Sequence, residues 1–185
     1  LDPDKVFVLL GDDLPAAAAS GIVAFAEAGG FAVFGTQLTS RSAFPSAHPC
    51  WAGVLKPDFA AMRERLETAE AIVLVGGRAF VAYPYRDVEP IPRGVKVHHV
   101  ADNAEAFGRE HPADTALLGD IGATLHAAAT RLAAITDRGI VEARLTERRA
   151  AKAAHVAAIR AEILAGAGEG PLPPDLAVLA VSDAL

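Results

Sequence analysis

The stretch AIVLVGG, residues 71–77, decides how this chain of 185 residues folds. Five apolar residues, three of them β-branched or bulky enough to favour a pleated surface, run without a polar interruption and stop at a glycine pair. A strand that faced water on one side would alternate. An unbroken apolar run reads as a strand covered on both faces, as in a parallel sheet. VFVLLG (6–11) repeats the pattern, and FAVFG (31–35), VKVHHVAD (95–102) and TALLGD (115–120) read as further strands. Helical stripes lie between them. Leu14, Ala18, Gly21, Ile22 and Phe25 share one face, with Asp12 or Asp13 as cap and Pro15 in the first turn. Phe59, Met62 and Leu66 share another. Ile121, Leu125, Ala128, Leu132 and Ile135 form a third, capped by Asp120. Long loops span 36–57 and 78–94. Strands alternating with helices or long crossovers specify an α/β fold: an open, doubly wound, Rossmann-like parallel sheet of five to six strands. Residues 71–77 are expected at its centre, with helices on both faces and a helical extension at the C-terminal end.

Composition narrows the function. A formal net charge of −6 disfavours a nucleic-acid surface, which needs a basic face. The single cysteine excludes an internal disulfide. No apolar run approaches a membrane span, and the acidic start Leu1-Asp2-Pro3-Asp4 does not resemble a secretory leader; a cytoplasmic protein is expected. The absence of an initial Met and the proximity of residue 1 to the first strand suggest a segment cut from a longer chain. From Asp137 to Ala165 the sequence becomes alanine-rich and charged, a helix by propensity. GAGEGPLPP (166–174) has linker composition, and DLAVLAVSDAL (175–185) begins a new amphipathic helix.

Candidate chemistry is sparse. His48 and Cys50, in FPSAHPCWAG (44–53), share a face if the segment is extended. A nucleophile would also need an oxyanion hole and an orienting group, and zinc would need more ligands. The segment reads instead as an ordered loop around a packed Trp51. An α/β sheet binds ligands beyond the carboxyl ends of its strands. Gly76 and Gly77 followed by Arg78 could meet a phosphate there, and Asp102 could accept from a ribose hydroxyl. Against this, the first strand ends in GDDLPAA, without the glycine triplet of a dinucleotide site and with two aspartates. Tight strand-to-loop turns remain the alternative.

The order VFVLLGDDLPAAAASGIVAFAEAGGFAVFGT, FPSAHPCWAG, LETAEAIVLVGG and VHHVADNAEAFGREHPADTALLGDIGATL resembles the central domain of thiamine-diphosphate-dependent enzymes. That group includes acetolactate synthase, oxalyl-CoA decarboxylase and benzoylformate decarboxylase. FPSAHPC and the loop GGRAFVAYPYRDVEPIPRG make it most like the benzoylformate decarboxylase branch. The resemblance implies a central domain over 1–136, a helical linker over 137–175 and the start of a diphosphate-binding domain over 176–185. It implies flanking pyrimidine- and diphosphate-binding domains as partners, thiamine diphosphate and Mg²⁺ bound by those domains, and a homotetramer when intact. The central domain is then a spacer and assembly element that binds no cofactor and is inactive alone. FAD or ADP on Gly76, Gly77, Arg78 and Asp102 belongs to two alternatives: an acetolactate-synthase-like carboligase, or a free nucleotide-binding module. The benzoylformate branch places an active-site histidine in the loop after the central strand. The matching position here is Tyr83, a departure that bears on substrate. Phe80, Tyr83 and Tyr85 are expected to line one apolar wall.

Overall fold

Every residue of Val6–Leu10 (β1) and of Ala71–Val75 (β4) is buried, as an unbroken apolar run requires. The computed structural model describes residues 2–39, 41–83, 85–166 and 172–184. Ala32–Gly35 (β2), Trp51–Val54 (β3), Lys96–Ala101 (β5) and Thr115–Leu118 (β6) complete a six-stranded sheet in the order β3-β2-β1-β4-β5-β6. All pairings are parallel, and β4 lies beside β1 in the middle. The chain builds outward from β1 to β2 and β3, then returns to add β4, β5 and β6 on the other side. The switch point therefore falls between the carboxyl ends of β1 and β4.

Alternate side chains of β1 feed two cores. Val6, Val8 and Leu10 join Ile22 and Ala26 of α1 (Ala19–Gly29) and Ile121 and Leu125 of α3 (Ile121–Ile135). Phe7 and Leu9 join Met62 of α2 (Phe59–Arg65), with Leu66, Phe80 and Ile91. The expected central place of 71–77 and the helices on both faces are observed. Among its described residues, the crossover from β4 to β5 has no helix. The proline-containing loop 78–94 covers the sheet instead, anchored by Ala79, Phe80 and Ile91 in the second core.

Two details differ from the sequence reading. The segment 36–57 is not all loop, because Trp51–Val54 pairs with β2. This edge strand is half exposed, holds a glycine and carries a register shift, so no periodic signal marks it. Helix α1 also starts later than expected. Pro15 precedes a short 3₁₀ turn over Ala16–Ala18, and α1 has no side-chain cap. Asp120 does cap α3, its Oδ1 accepting from Ala123 N at 2.7 Å. Asp58, unassigned in the sequence, caps α2 through Ala61 N at 3.0 Å.

The chain divides into two compact units, 1–145 and 146–185. Helix α4 (Arg138–Ala165) contributes its first two turns to the first unit. Val141 is buried there, and Arg144 reaches Asp4 Oδ1 at 2.7 Å and the Gly29 carbonyl at 3.2 Å. In the second unit Arg160 makes a two-pronged pair with Asp183, both contacts at 2.6 Å, between α4 and α5 (Pro174–Ala184). Most of the linker expected over 166–174, together with Pro84, lies outside the described residues.

Helices α1 and α3 touch through their backbones. A methyl group on Gly21 would lie within 2.8 Å of Gly122 Cα and press on the Gly122 carbonyl. Alanine favours a helix interior by about 1 kcal/mol over glycine, but overpacking a rigid contact costs about 1–3 kcal/mol, and here the obstructing atoms are main chain. Gly21→Ala should therefore destabilise the first unit by about 1–2 kcal/mol in urea unfolding. A stabilised variant would show that the helix pair can spread apart at no cost.

Candidate functional site

The carboxyl ends of β1, β4 and β5 enclose a cleft of about 420 Å³. Gly76, Gly77, Arg78 and Asp102 all line it, so the structure brings the four sequence candidates together. Gly76 closes β4 with φ of +87°, a conformation that other residues adopt only under strain. Its carbonyl accepts from His99 Nε2 at 2.8 Å, so that nitrogen carries a proton. His99 is buried, with Phe107 against its ring edge at 4.9 Å.

The expected helix cap Asp12 does something else. Its Oδ1 accepts from Arg78 N at 2.6 Å, and its Oδ2 accepts from Arg78 Nε at 2.9 Å and meets Nη2 at 2.9 Å. In return, Asp12 N donates to the Arg78 carbonyl at 2.8 Å. The Asp12 carboxylate holds the Arg78 guanidinium above its already high proton affinity. The next two amides, Ala79 N and Phe80 N, donate to Glu110 Oε2 at 2.9 and 3.1 Å. Three consecutive N–H groups after the central strand, the place where such a sheet would receive a phosphate, are thus filled by the chain's own carboxylates. Sequence spacing carried no sign of this. Asp12 and Glu110 come from distant segments, and each reads locally as an ordinary surface acid.

The FPSAHPC segment is ordered around aromatics. Phe44 is buried, lies edge-on to His48 at 5.0 Å and stacks with Trp51 at 6.1 Å. His48 and Cys50 meet through the Cys50 backbone amide. His48 Nδ1 accepts from Cys50 N at 3.1 Å and Nε2 faces Glu27 Oε1 at 3.1 Å, while the buried thiol is directed to the Ala26 carbonyl at 3.8 Å. His98 and His99 occupy successive positions of β5 and take opposite faces. Among the described residues, no group of three or more His, Cys, Asp and Glu could hold a metal ion.

The expected aromatic wall is not formed within the chain. Phe80 turns into the core, at 6% exposure, whereas Tyr83 and Tyr85 are 75% and 77% exposed. The loop's tip is anchored to the start of α2. Tyr83 N donates to the Pro57 carbonyl at 2.7 Å, and Arg86 Nε meets Asp58 Oδ2 at 2.6 Å.

Residues 3–128 match the family described as thiamine pyrophosphate enzyme, central domain. The chain belongs to that family. It is 31% identical over 121 residues to the benzoylformate decarboxylase of Pseudomonas aeruginosa, an alignment covering 65% of this chain and 23% of that protein. Its structure is similar to the thiamine diphosphate-dependent 4-hydroxybenzoylformate decarboxylase of Rhodococcus jostii RHA1. That likeness has 28% identity and a TM-score of 0.61, over 69% of this chain and 24% of the other. The benzoylformate decarboxylase of Polynucleobacter necessarius shares the fold, with a TM-score of 0.59 at 23% identity, over 69% and 24% of the two chains. The chain thus spans about a quarter of the length of these relatives. The resemblance drawn from the sequence, to the central domain and to its benzoylformate decarboxylase branch, agrees with these findings. No helix among the described residues is long and apolar enough to cross a membrane.

Several surface carboxylates are held below their usual range. Asp58 is held by the Ala61 N–H and by Arg86, Glu70 by the Lys5 ammonium and the Asp2 N–H, and Asp114 by the Lys96 ammonium and the Val97 N–H. Each therefore stabilises the fold fully above the unfolded carboxylate value of about 4, and that contribution disappears as pH falls through the lower native value. Melting temperature should drop from about pH 4 downward, and Asp114→Asn should flatten that descent. A descent of the same slope in the variant would show that the Lys96–Asp114 pair does not contribute. Glu110→Ala strips two amides of their acceptor and should cost about 1–3 kcal/mol in urea unfolding. A neutral result would mean that water replaces the carboxylate freely.

Proposed function

We propose that this chain serves as the central domain of a thiamine-diphosphate-dependent 2-keto acid decarboxylase of the benzoylformate type. The family match over 3–128 supports the domain assignment, and the identity to a benzoylformate decarboxylase supports the branch. In this reading residues 1–136 are the central domain, 137–175 a helical linker and 176–185 the start of the diphosphate-binding domain. The parent enzyme is a cytoplasmic lyase that assembles as a homotetramer. Its pyrimidine- and diphosphate-binding domains flank this one in the same polypeptide.

The residues here do not fit thiamine diphosphate and Mg²⁺. The strand-end amides already hold carboxylates, and no metal-ligating group of three is found among the described residues. The cofactor and metal are therefore assigned to the flanking domains, and the isolated chain is expected to be inactive. The same geometry weighs against FAD or ADP in the cleft. A phosphate would have to displace Asp12 from Arg78 and enter beside Asp13, Asp102 and Glu105. Gly76 and Gly77 are then turn residues, Arg78 a partner of Asp12, and Asp102 a surface acid. Titration of the chain with thiamine diphosphate plus Mg²⁺, and separately with FAD and ADP, should give no saturable heat. A dissociation constant below about 100 μM for FAD or ADP would favour the carboligase or nucleotide-module alternative.

Tyr83 is the residue through which this domain would reach the chemistry. It is anchored by its backbone and largely exposed, which suits a side chain presented to a neighbouring domain. With a phenol in place of an imidazole, Tyr83 would act by shape and one hydrogen bond rather than by relaying protons. An acid–base group contributes about 10²–10⁴ in rate, while a hydrogen bond of about 1 kcal/mol gives about fivefold. Tyr83→Phe in the full-length enzyme should cost less than tenfold in kcat/KM on an aryl keto acid, and Tyr83→His should raise benzoylformate decarboxylation. A hundredfold loss in Tyr83→Phe would reverse the role given to the phenol. Full activity in Tyr83→Ala would remove the loop from the active site.

A further inference from the structure

Loop 78–94 replaces a crossover helix, so nothing in its own backbone repeat fixes where its tip stands. Among the described residues, three contacts tie it to α2 and the two residues before it. Tyr83 N donates to the Pro57 carbonyl at 2.7 Å, Arg86 Nε meets Asp58 Oδ2 at 2.6 Å, and Arg63 Nη1 donates to the Glu89 carbonyl at 3.2 Å. The tethered positions are three residues apart along the loop, and the first two lie on either side of the tip. Asp58 divides its carboxylate between two tasks: Oδ1 starts α2 at Ala61 N, and Oδ2 takes Arg86. An ion pair with its Arg side chain 55% exposed adds little to global stability. Its effect is in placement.

We propose that Asp58 and Arg86 are the positioning pair that sets the place of Tyr83. Helix α2 is the reference surface, and the pair carries its position to the loop. Any shift of the α2 N-terminus moves Asp58, and with it the tip. The catalytic consequence rests on the reading that Tyr83 faces the active site of the intact enzyme; the structural consequence does not.

Two variants separate the carboxylate's tasks. Asp58→Ser keeps a side-chain oxygen that can cap α2 but has no charge for Arg86. Arg86→Met keeps much of the apolar stem and removes the guanidinium. In the 185-residue chain both should speed hydrogen exchange of the Tyr83 amide by tenfold or more, while the amides of β4 keep their protection. In the full-length enzyme both should lower kcat/KM on an aryl keto acid three- to tenfold, mainly through KM. Arg86→Lys should recover at least half of that loss, and Arg86→Met should add nothing in a Tyr83→Ala background. Unchanged exchange at Tyr83 in both variants would overturn the proposal. So would a loss of activity from Arg86→Met that persists undiminished beside Tyr83→Ala. If Tyr83→Ala alone retains full activity, the active-site reading of Tyr83 fails, and the exchange data still decide whether the pair positions the tip.

Discussion

The Asp12 carboxylate, fastened to both the backbone and the side chain of Arg78, joins the carboxyl ends of the two central strands. Much of what distinguishes this domain depends on that contact. It lies at the switch point of the sheet, the one place in a doubly wound fold where the loops above adjacent strands diverge and leave a cleft. With Asp12 in place, the first residue of the long crossover is immobilised. Glu110 then captures the next two amides, and Phe80 is directed down into the core. The cleft keeps the outline of a ligand site while the amides of Arg78, Ala79 and Phe80 are already satisfied. An uncharged residue at position 12 would leave Arg78 and its amide facing the cleft, beside Asp13, Asp102 and Glu105, which also line it.

The same contact shows where sequence reasoning reached and where it stopped. Apolar runs located five strands: in β1, β2 and β4 burial of every residue leaves an unbroken pattern that needs no partner to be recognised, and β6 shows such a run although it is exposed within this chain. They also placed β4 at the centre, and Asp120 was readable as a cap because capping is a local relation across three residues. Asp12 has the same local appearance, an acid before an apolar stripe, but its partner lies in a segment that only the fold brings near. Strand β3 was hidden for a different reason: four half-exposed residues at a sheet edge, one a glycine, have no periodicity to detect. Of the site, the four cleft residues were readable from their place after strands, whereas Glu110 and the pairing of Asp58 with Arg86 were not, since each joins one element to another.

Crossover 78–94 is where this chain departs most from a regular α/β repeat. A helix there would bury its own stripe and supply its own hydrogen bonds. The loop instead borrows partners from its neighbours: acceptors on the Asp12 and Glu110 side chains at its root and on Pro57 and Asp58 farther along, and the Arg63 guanidinium as a donor. Prolines limit the conformations it can adopt when free, which lowers the entropy lost when these contacts form. The result is a segment without regular structure that still holds a defined place against the sheet.

Cys50 provides a consequence of another kind. Its thiol is 1% exposed and points to the Ala26 carbonyl, beneath the aromatic cluster of Phe44, His48 and Trp51. As the chain's sole thiol, it is buried at the joint between α1 and β3. The rate at which a soluble disulfide reagent modifies it is therefore a clock for opening at that joint. Compared with the rate of global unfolding, that clock distinguishes an edge that breathes by itself from one that opens only with the whole sheet.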